Sequence, residues 1–208
     1  MILFGQSEGL WEALTKDDPT VGEAVSHSAG IRGQMLDYQA AALFTLAKKY
    51  NFGAANILEI GTLVGYSTSL LAQAAPLAKI TTLNPAPHEV RDAAFNLKFY
   101  RNVTIQTEKS WDYLARYNGP NLDFIFVDGD HNRISRDIPW YNKLKTGGMI
   151  LFHDYHPTKS RIVHQKLQAM RTFLGRDFDV SLVDADLNGM VGIIKQDGEE
   201  WPMQMQRS

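Results

Sequence analysis

Ile57-Leu-Glu-Ile-Gly-Thr-Leu-Val-Gly-Tyr-Ser-Thr68 is the stretch whose reading decides the fold. The apolar run 57–60 has the length of a short buried strand, Gly61 and Gly65 mark a turn, and residues 67–75 read as a helix stopped before Pro76. A glycine turn lets backbone approach a ligand closely, and the helix N-terminus behind it favours polar or anionic groups. The stretch therefore reads as a holder for a nucleoside cofactor. Alone, it also fits a plain strand–turn–helix connection or a dinucleotide site of the dehydrogenase kind. The G-x-G-x-x-G fingerprint of the latter is absent, because position 63 is Leu.

Upstream, residues 1–33 look mixed and irregular: a short amphipathic segment at Leu10–Leu14, a breaker at Asp17-Asp-Pro19, and a small-residue loop at Ser26–Gly33. They read as a lid, or as a substrate or subunit-pairing segment. Residues 34–50 have helical spacing, with Met35, Tyr38, Ala42 and Leu46 three to four apart, and Asn51-Phe-Gly53 ends the run. Downstream the chain alternates. Strands are predicted at Lys79–Leu83, Val103–Gln106, Leu122–Val127 and Met149–Phe152, with helices across 88–100, 110–117, 134–144 and 159–174. Pro139 marks a break or kink in the third of these helices. Phe178–Val183 and Met190–Lys195 then read as an antiparallel pair with Asn188-Gly189 in the turn.

Five strand–helix alternations imply an α/β fold, a single doubly wound, mostly parallel sheet with helices on both faces. The domain is predicted to span 34–195, followed by a tail at 196–208. The chain's 208 residues suit one sizeable core, and 44% hydrophobic with 21% charged residues is ordinary for a globular protein. A formal charge of −2 offers no surplus for nucleic acid or for a membrane surface. Zero cysteines exclude disulfides, thiolate metal sites and cysteine nucleophiles. No signal-length apolar core and no run near the ~20 residues of a membrane span is present, so a cytoplasmic protein is expected.

Ligands of such sheets bind beyond the carboxyl ends of the strands. The residues found there are Glu59 and Gly61, Asn84-Pro85, Glu108-Lys-Ser110, Asp128-Gly-Asp-His131 and His153-Asp-Tyr-His156. Acids, histidines and glycines gather at four of these five positions, more than surface loops require.

Three motifs carry a resemblance: Glu-Ile-Gly-Thr-x-x-Gly-Tyr-Ser (59–67), Val-Asp-Gly-Asp-His (127–131) and Gly-Gly-Met-Ile-Leu-Phe-His-Asp-Tyr (147–155). In this order and spacing the chain resembles the S-adenosylmethionine-dependent methyltransferases of the Rossmann-like class. Within it, the likeness is to the small O-methyltransferase branch that includes catechol and caffeoyl-CoA O-methyltransferases. The resemblance covers about residues 34–195 and implies a seven-stranded sheet whose last strand is antiparallel. It implies that Glu59, Gly61 and Thr62 lie against the methionine and ribose of the cofactor, with Gly65, Tyr66 and Ser67 completing the pocket. Ser110 and Trp111 would lie near the adenine, and Asp128 would face the sulfonium and the substrate. The family's ribose-binding acid at the end of the second strand is here Asn84. An amide accepts a weaker bond than a carboxylate, so weaker or shifted ribose contact is one reading, and a tolerated loop residue the other.

Methyl transfer to a hydroxyl needs the proton removed. Related enzymes use a divalent ion, for which the candidates here are Asp128, His153 and Asp154. His153 stands where an acid is usual, which suits a transition metal better than Mg²⁺. The metal-free route makes His131 or His153 the general base, oriented by Asp130 or Asp154. His131 also has a structural reading as a tie within its loop, and Asp137 reads as a helix N-terminal charge. The resemblance thus implies methyl transfer to a small-molecule acceptor, read as a hydroxyl, with a homodimer as the common assembly. A nucleoside-binding protein without methyl transfer and a nicotinamide oxidoreductase remain as alternatives.

Overall fold

The structure, a computed structural model, describes residues 2–3, 9–33, 35–158, 161–182 and 188–202. Among the described residues, eight strands form one sheet: β1 (Ile2–Leu3), β2 (Asn56–Ile60), β3 (Lys79–Leu83), β4 (Val103–Gln106), β5 (Leu122–Val127), β6 (Leu144–Tyr155), β7 (Val180–Leu182) and β8 (Gly189–Ile194). Their order is β1-β7-β8-β6-β5-β2-β3-β4. β8 alone runs antiparallel to its neighbours β6 and β7, whereas every other pair is parallel. The predicted seven strands and antiparallel last strand are present, and the two-residue β1 adds to the edge. Of the predicted hairpin connection, residues 183–187 lie outside the described residues, as do 159–160 at the start of the last predicted helix.

Seven α-helices among the described residues flank the sheet: α1 (Leu10–Asp17), α2 (Pro19–Ser28), α3 (Asp37–Lys48), α4 (Tyr66–Ala74), α5 (Pro87–Asn96), α6 (Ser110–Arg116) and α7 (Arg161–Leu174). Alternation along the strands divides the core in two. Ile57, Phe124, Phe126 and Met149 pack with α2, α3 and α4. Leu58, Ile125, Val127 and Ile150 face Trp140, Val163, Leu167 and Met170. All six positions of β5 are buried, as its near-continuous apolar sequence requires.

Two local predictions are corrected. Residues 10–28 are helical rather than irregular. Asp18 ends α1 and also caps α2, its Oδ1 accepting from the Thr20 amide at 3.2 Å, with Pro19 at the first helical position where its missing N–H costs nothing. Residues 134–144 are not an α-helix: two 3₁₀ segments, His131–Arg136 and Ile138–Lys143, meet at Asp137. Pro139 lacks the amide that an α-helix through this point would use. Beyond the sheet, Trp201 is buried against Phe173, with ring centroids 5.3 Å apart, so residues 196–202 lie on the body of the fold.

Candidate active site

The turn after β2 is held by three crowded glycines. Gly61 has φ +106°, and a Cβ there would sit 2.2 Å from the carbonyl oxygen of Asp128. The amides of Gly61 and Thr62 both donate to the Leu83 carbonyl, at 3.0 and 3.2 Å. The turn is thus pressed between the ends of β5 and β3, which only a residue without a side chain permits. Gly65, at φ +97°, opens α4 against the Leu97 side chain. Gly33 lies so close to the Tyr66 ring that a Cβ would fall 2.5 Å from it, which brings Gly33 over the turn. Between these, Leu63 takes φ +47°, a conformation costly for a branched side chain and typical of functional turns.

Glu59 lies beneath the turn rather than in it. It is fully buried, and its Oε2 accepts from the Thr82 hydroxyl at 2.5 Å and from the Thr68 hydroxyl. Burial disfavours its charge more than the surrounding hydroxyls favour it, and its pKa rises to about 7.

Above the turn opens a cleft of about 370 Å³ across the carboxyl ends of β3, β2, β5 and β6. Gly61, Thr62, Tyr66, Ser67, Asn84, Asp128, His131, His153 and Asp154 all line it. Glu59, Gly65, Ser110 and Trp111 do not. The Ser110 hydroxyl donates to Asp137, a buried carboxyl that burial raises to about 7. Asp137 therefore serves a side-chain hydrogen bond rather than acting only as a helix-end charge. Trp111 lies under three cations, with Arg136 4.8 Å, Arg133 5.6 Å and Lys109 5.7 Å from its ring centre.

At the β5–β6 end, ligand atoms of Asp128, His131 and Asp154 lie within 4.8 Å of one another. His131 Nε2 is 3.2 Å from Asp154 and 3.9 Å from Asp128, yet it is buried and makes no hydrogen bond of proper geometry. Its pKa is raised, first by the Asp128 carboxylate. Asp154 adopts φ +55° where the β6–β8 register shifts between Phe152 and Tyr155, a bulge that turns its carboxylate into the cleft. Asn188 holds its Oδ1 at 3.2 Å.

His153 sits behind these groups, 4% exposed, with Nδ1 3.0 Å from Asp128 and 3.5 Å from Asp154. Its Nε2 faces Gln39 Oε1 at 3.3 Å. Burial works against the imidazolium, but the two carboxylates outweigh it and push the pKa up to about 10. Asp154 is correspondingly held down at about 2, burial opposing and His153 prevailing.

Gln39 escaped the sequence reading. It is buried in α3, accepts from the Leu36 amide at 3.0 Å, donates to the Asn188 carbonyl at 2.5 Å and meets His153. A polar residue on the otherwise apolar 40–44 face was its only sequence signal. Glu89, which lines the β3 end of the cleft, had none.

The arrangement defines a class: a doubly wound enzyme fold with a nucleoside-sized cleft at its strand ends and an acid–histidine cluster at one end of that cleft. Residues 58–155 match the family described as "Methyltransferase domain". A catechol O-methyltransferase of Niastella koreensis is 30% identical over 158 residues, covering 70% of this chain and 71% of that protein. A catechol O-methyltransferase of Mycobacterium tuberculosis is 30% identical over 148 residues, covering 68% and 66%. The fold is shared with a crystal structure of an O-methyltransferase from Bacillus cereus in complex with SAH, at TM-score 0.62, 22% identity and coverage of 86% and 91%. The chain belongs to the Rossmann-like, S-adenosylmethionine-dependent O-methyltransferases. It is an enzyme that transfers a methyl group from S-adenosylmethionine to a hydroxyl of a small molecule, and neither alternative reading finds support. No helix among the described residues is long and apolar enough to cross a membrane.

Proposed function

We propose that Asp128, His131 and Asp154 form the acceptor end of the site and hold a divalent cation there. The carrying observation is the buried His131 Nε2, which has no hydrogen bond and converges with two carboxylates. A donor set of one imidazole and two carboxylates fits a transition metal or Mn²⁺ better than Mg²⁺. Such a cation supplies Lewis acidity that lowers the pKa of a hydroxyl bound to it. Without it, the carboxylates hold the proton on His131.

His153 positions rather than reacts. Gln39 Oε1 already accepts from Leu36, so it presents an acceptor to Nε2, and Nδ1 faces carboxylates. With both nitrogens donating, the ring has no lone pair for a substrate proton. It fixes Asp128 and offsets part of the cluster's negative charge. Asp128 joins the two halves, since its carbonyl touches Gly61 and its carboxylate enters the cluster. Gly61, Thr62, Tyr66 and Ser67 hold the methyl donor, and Asn84 braces the β3 end of the cleft. Glu59 supports the turn from below, Gly65 starts α4, and Ser110 and Trp111 border the adenine end.

The acceptor we infer is a catechol-type diol, the substrate class that gives the two relatives their name. The segment 1–33 covers the cleft through Gly33 and, as a pairing surface, makes a homodimer; the enzyme works in the cytoplasm. A direct test measures methyl transfer to catechol and to phenol after chelation, with Mg²⁺, Mn²⁺ and Zn²⁺ added back. Calorimetry of Mn²⁺ on wild type and on His131→Ala and Asp154→Asn runs beside it. Loss and metal-specific recovery of activity, with weakened Mn²⁺ binding in both variants, is expected. Full activity in chelator refutes the metal role.

A further inference from the structure

Glu89 is a half-buried carboxylate at the opposite end of the cleft from the acid–histidine cluster. It is the third residue of α5, where an acid ordinarily serves the helix by accepting from the backbone amide just before the first turn. That amide, Ala86 N–H, is instead taken by Asn84 Oδ1 at 3.0 Å. Glu89 turns the other way, its Oε2 accepting from Asn84 Nδ2 at 2.9 Å. Asn84 Nδ2 also reaches the Leu63 carbonyl at 3.3 Å. Both ends of the Asn84 amide are thereby spent on scaffolding. Glu89 Oε1 lies 3.8 Å from the His88 ring, beyond hydrogen-bond reach, and keeps its acceptor capacity.

The orientation of the donor follows from chemistry, given the reading of the cleft above, on which this inference rests. The transferred methyl must lie at the acceptor end, over β5 and β6. The nucleoside then runs toward β3, three inter-strand spacings or about 14 Å away. A carboxylate at that end meets the ribose hydroxyls, two adjacent donors for which a charged acceptor is the strong partner. We propose that Glu89 is the ribose-binding acid of this enzyme, delivered from the first turn of α5 and held in place by Asn84.

The test is calorimetry of S-adenosylhomocysteine, and of its analogue lacking both ribose hydroxyls, on wild type and Glu89→Gln. The variant keeps an oxygen for Asn84 Nδ2, and ligand-free thermal melting checks its fold. Removing the charge is expected to weaken S-adenosylhomocysteine by about tenfold. The dihydroxyl-less analogue should bind wild type and variant alike, because the lost bond is absent from both. If the variant weakens both ligands by the same factor, Glu89 merely supports the cleft wall and the inference falls. Equal binding of S-adenosylhomocysteine by variant and wild type also overturns it. Should Glu89→Gln melt early, Glu89→Asp, which retains the charge but withdraws it by one methylene, is read the same way. A wild-type protein that binds neither ligand overturns the donor reading of the cleft, and this inference with it.

Discussion

Replacing Glu59 by Gln should change how stability depends on pH more than it changes stability itself. The folded-state pKa is about 7 against an ordinary 4.5, so the native protein binds this proton more tightly than the unfolded chain does. Its contribution is therefore fully present below about pH 4.5 and is lost as pH rises through about 7. A difference of about 2.5 units at 1.36 kcal/mol each makes the loss about 3 kcal/mol at most. Since Glu59 is fully buried, solvent screening does not reduce that ceiling. Asp137, raised from 3.8 to about 7, slopes in the same direction, so wild type alone does not separate the two. The difference between wild type and Glu59→Gln does. The amide keeps an acceptor for Thr68 and Thr82 and cannot ionise. Urea unfolding of the ligand-free proteins from pH 5 to 8.5 should show the wild-type curve starting near the variant's and falling below it as pH rises. In melting temperature the divergence is about 6–12 °C for a chain of this size. Parallel curves across that range would mean that Glu59 is not the carboxyl carrying the effect.

Gly61→Ala should cost several kcal/mol, about 1–3 from its left-handed backbone and more from the contact with the Asp128 carbonyl, read as an early thermal transition and lost calorimetric binding of S-adenosylhomocysteine. His131→Ala should lower kcat by about 10²-fold or more, leaving S-adenosylhomocysteine affinity within about twofold of wild type. Gln39→Ala should leave His153 Nε2 buried without an acceptor, costing about 1–3 kcal/mol of stability, and should shift the metal-binding profile with pH. Trp201→Ala should destabilise by about 3 kcal/mol or more in chemical denaturation, because the ring is 5% exposed and packed on Phe173.

The sheet and the site were legible to different depths, for physical reasons. Strands declare themselves locally, by apolar runs bounded by turns, so β2 through β6 and the antiparallel β8 stand in the sequence. Residues just past those strands share one edge by topology, which is why Gly61, Asn84, Asp128 and His153-Asp154 meet in one cleft. Contacts made across elements have no such local signature. Gln39 touches His153 over a separation of 114 positions, and nothing near either residue announces it. How His153 and Asp154 are presented at the end of β6 depends on the β6–β8 register shift, a property of two strands together. The 3₁₀ course of 131–143 and the double use of Asp18 were foreshadowed by Pro139 and Pro19, but a proline marks a departure without saying what replaces the helix.

Gly61 lies against Asp128 with no room for even a methyl group, so the turn after β2 and the loop after β5 are one mechanical body. Whatever breathing admits substrates has to happen elsewhere, along the rim where Gly33 lies over Tyr66 and where Asn188 reaches Asp154. Selection for new acceptors can reshape that rim freely. The spacing between that turn and that loop stays constant while it does.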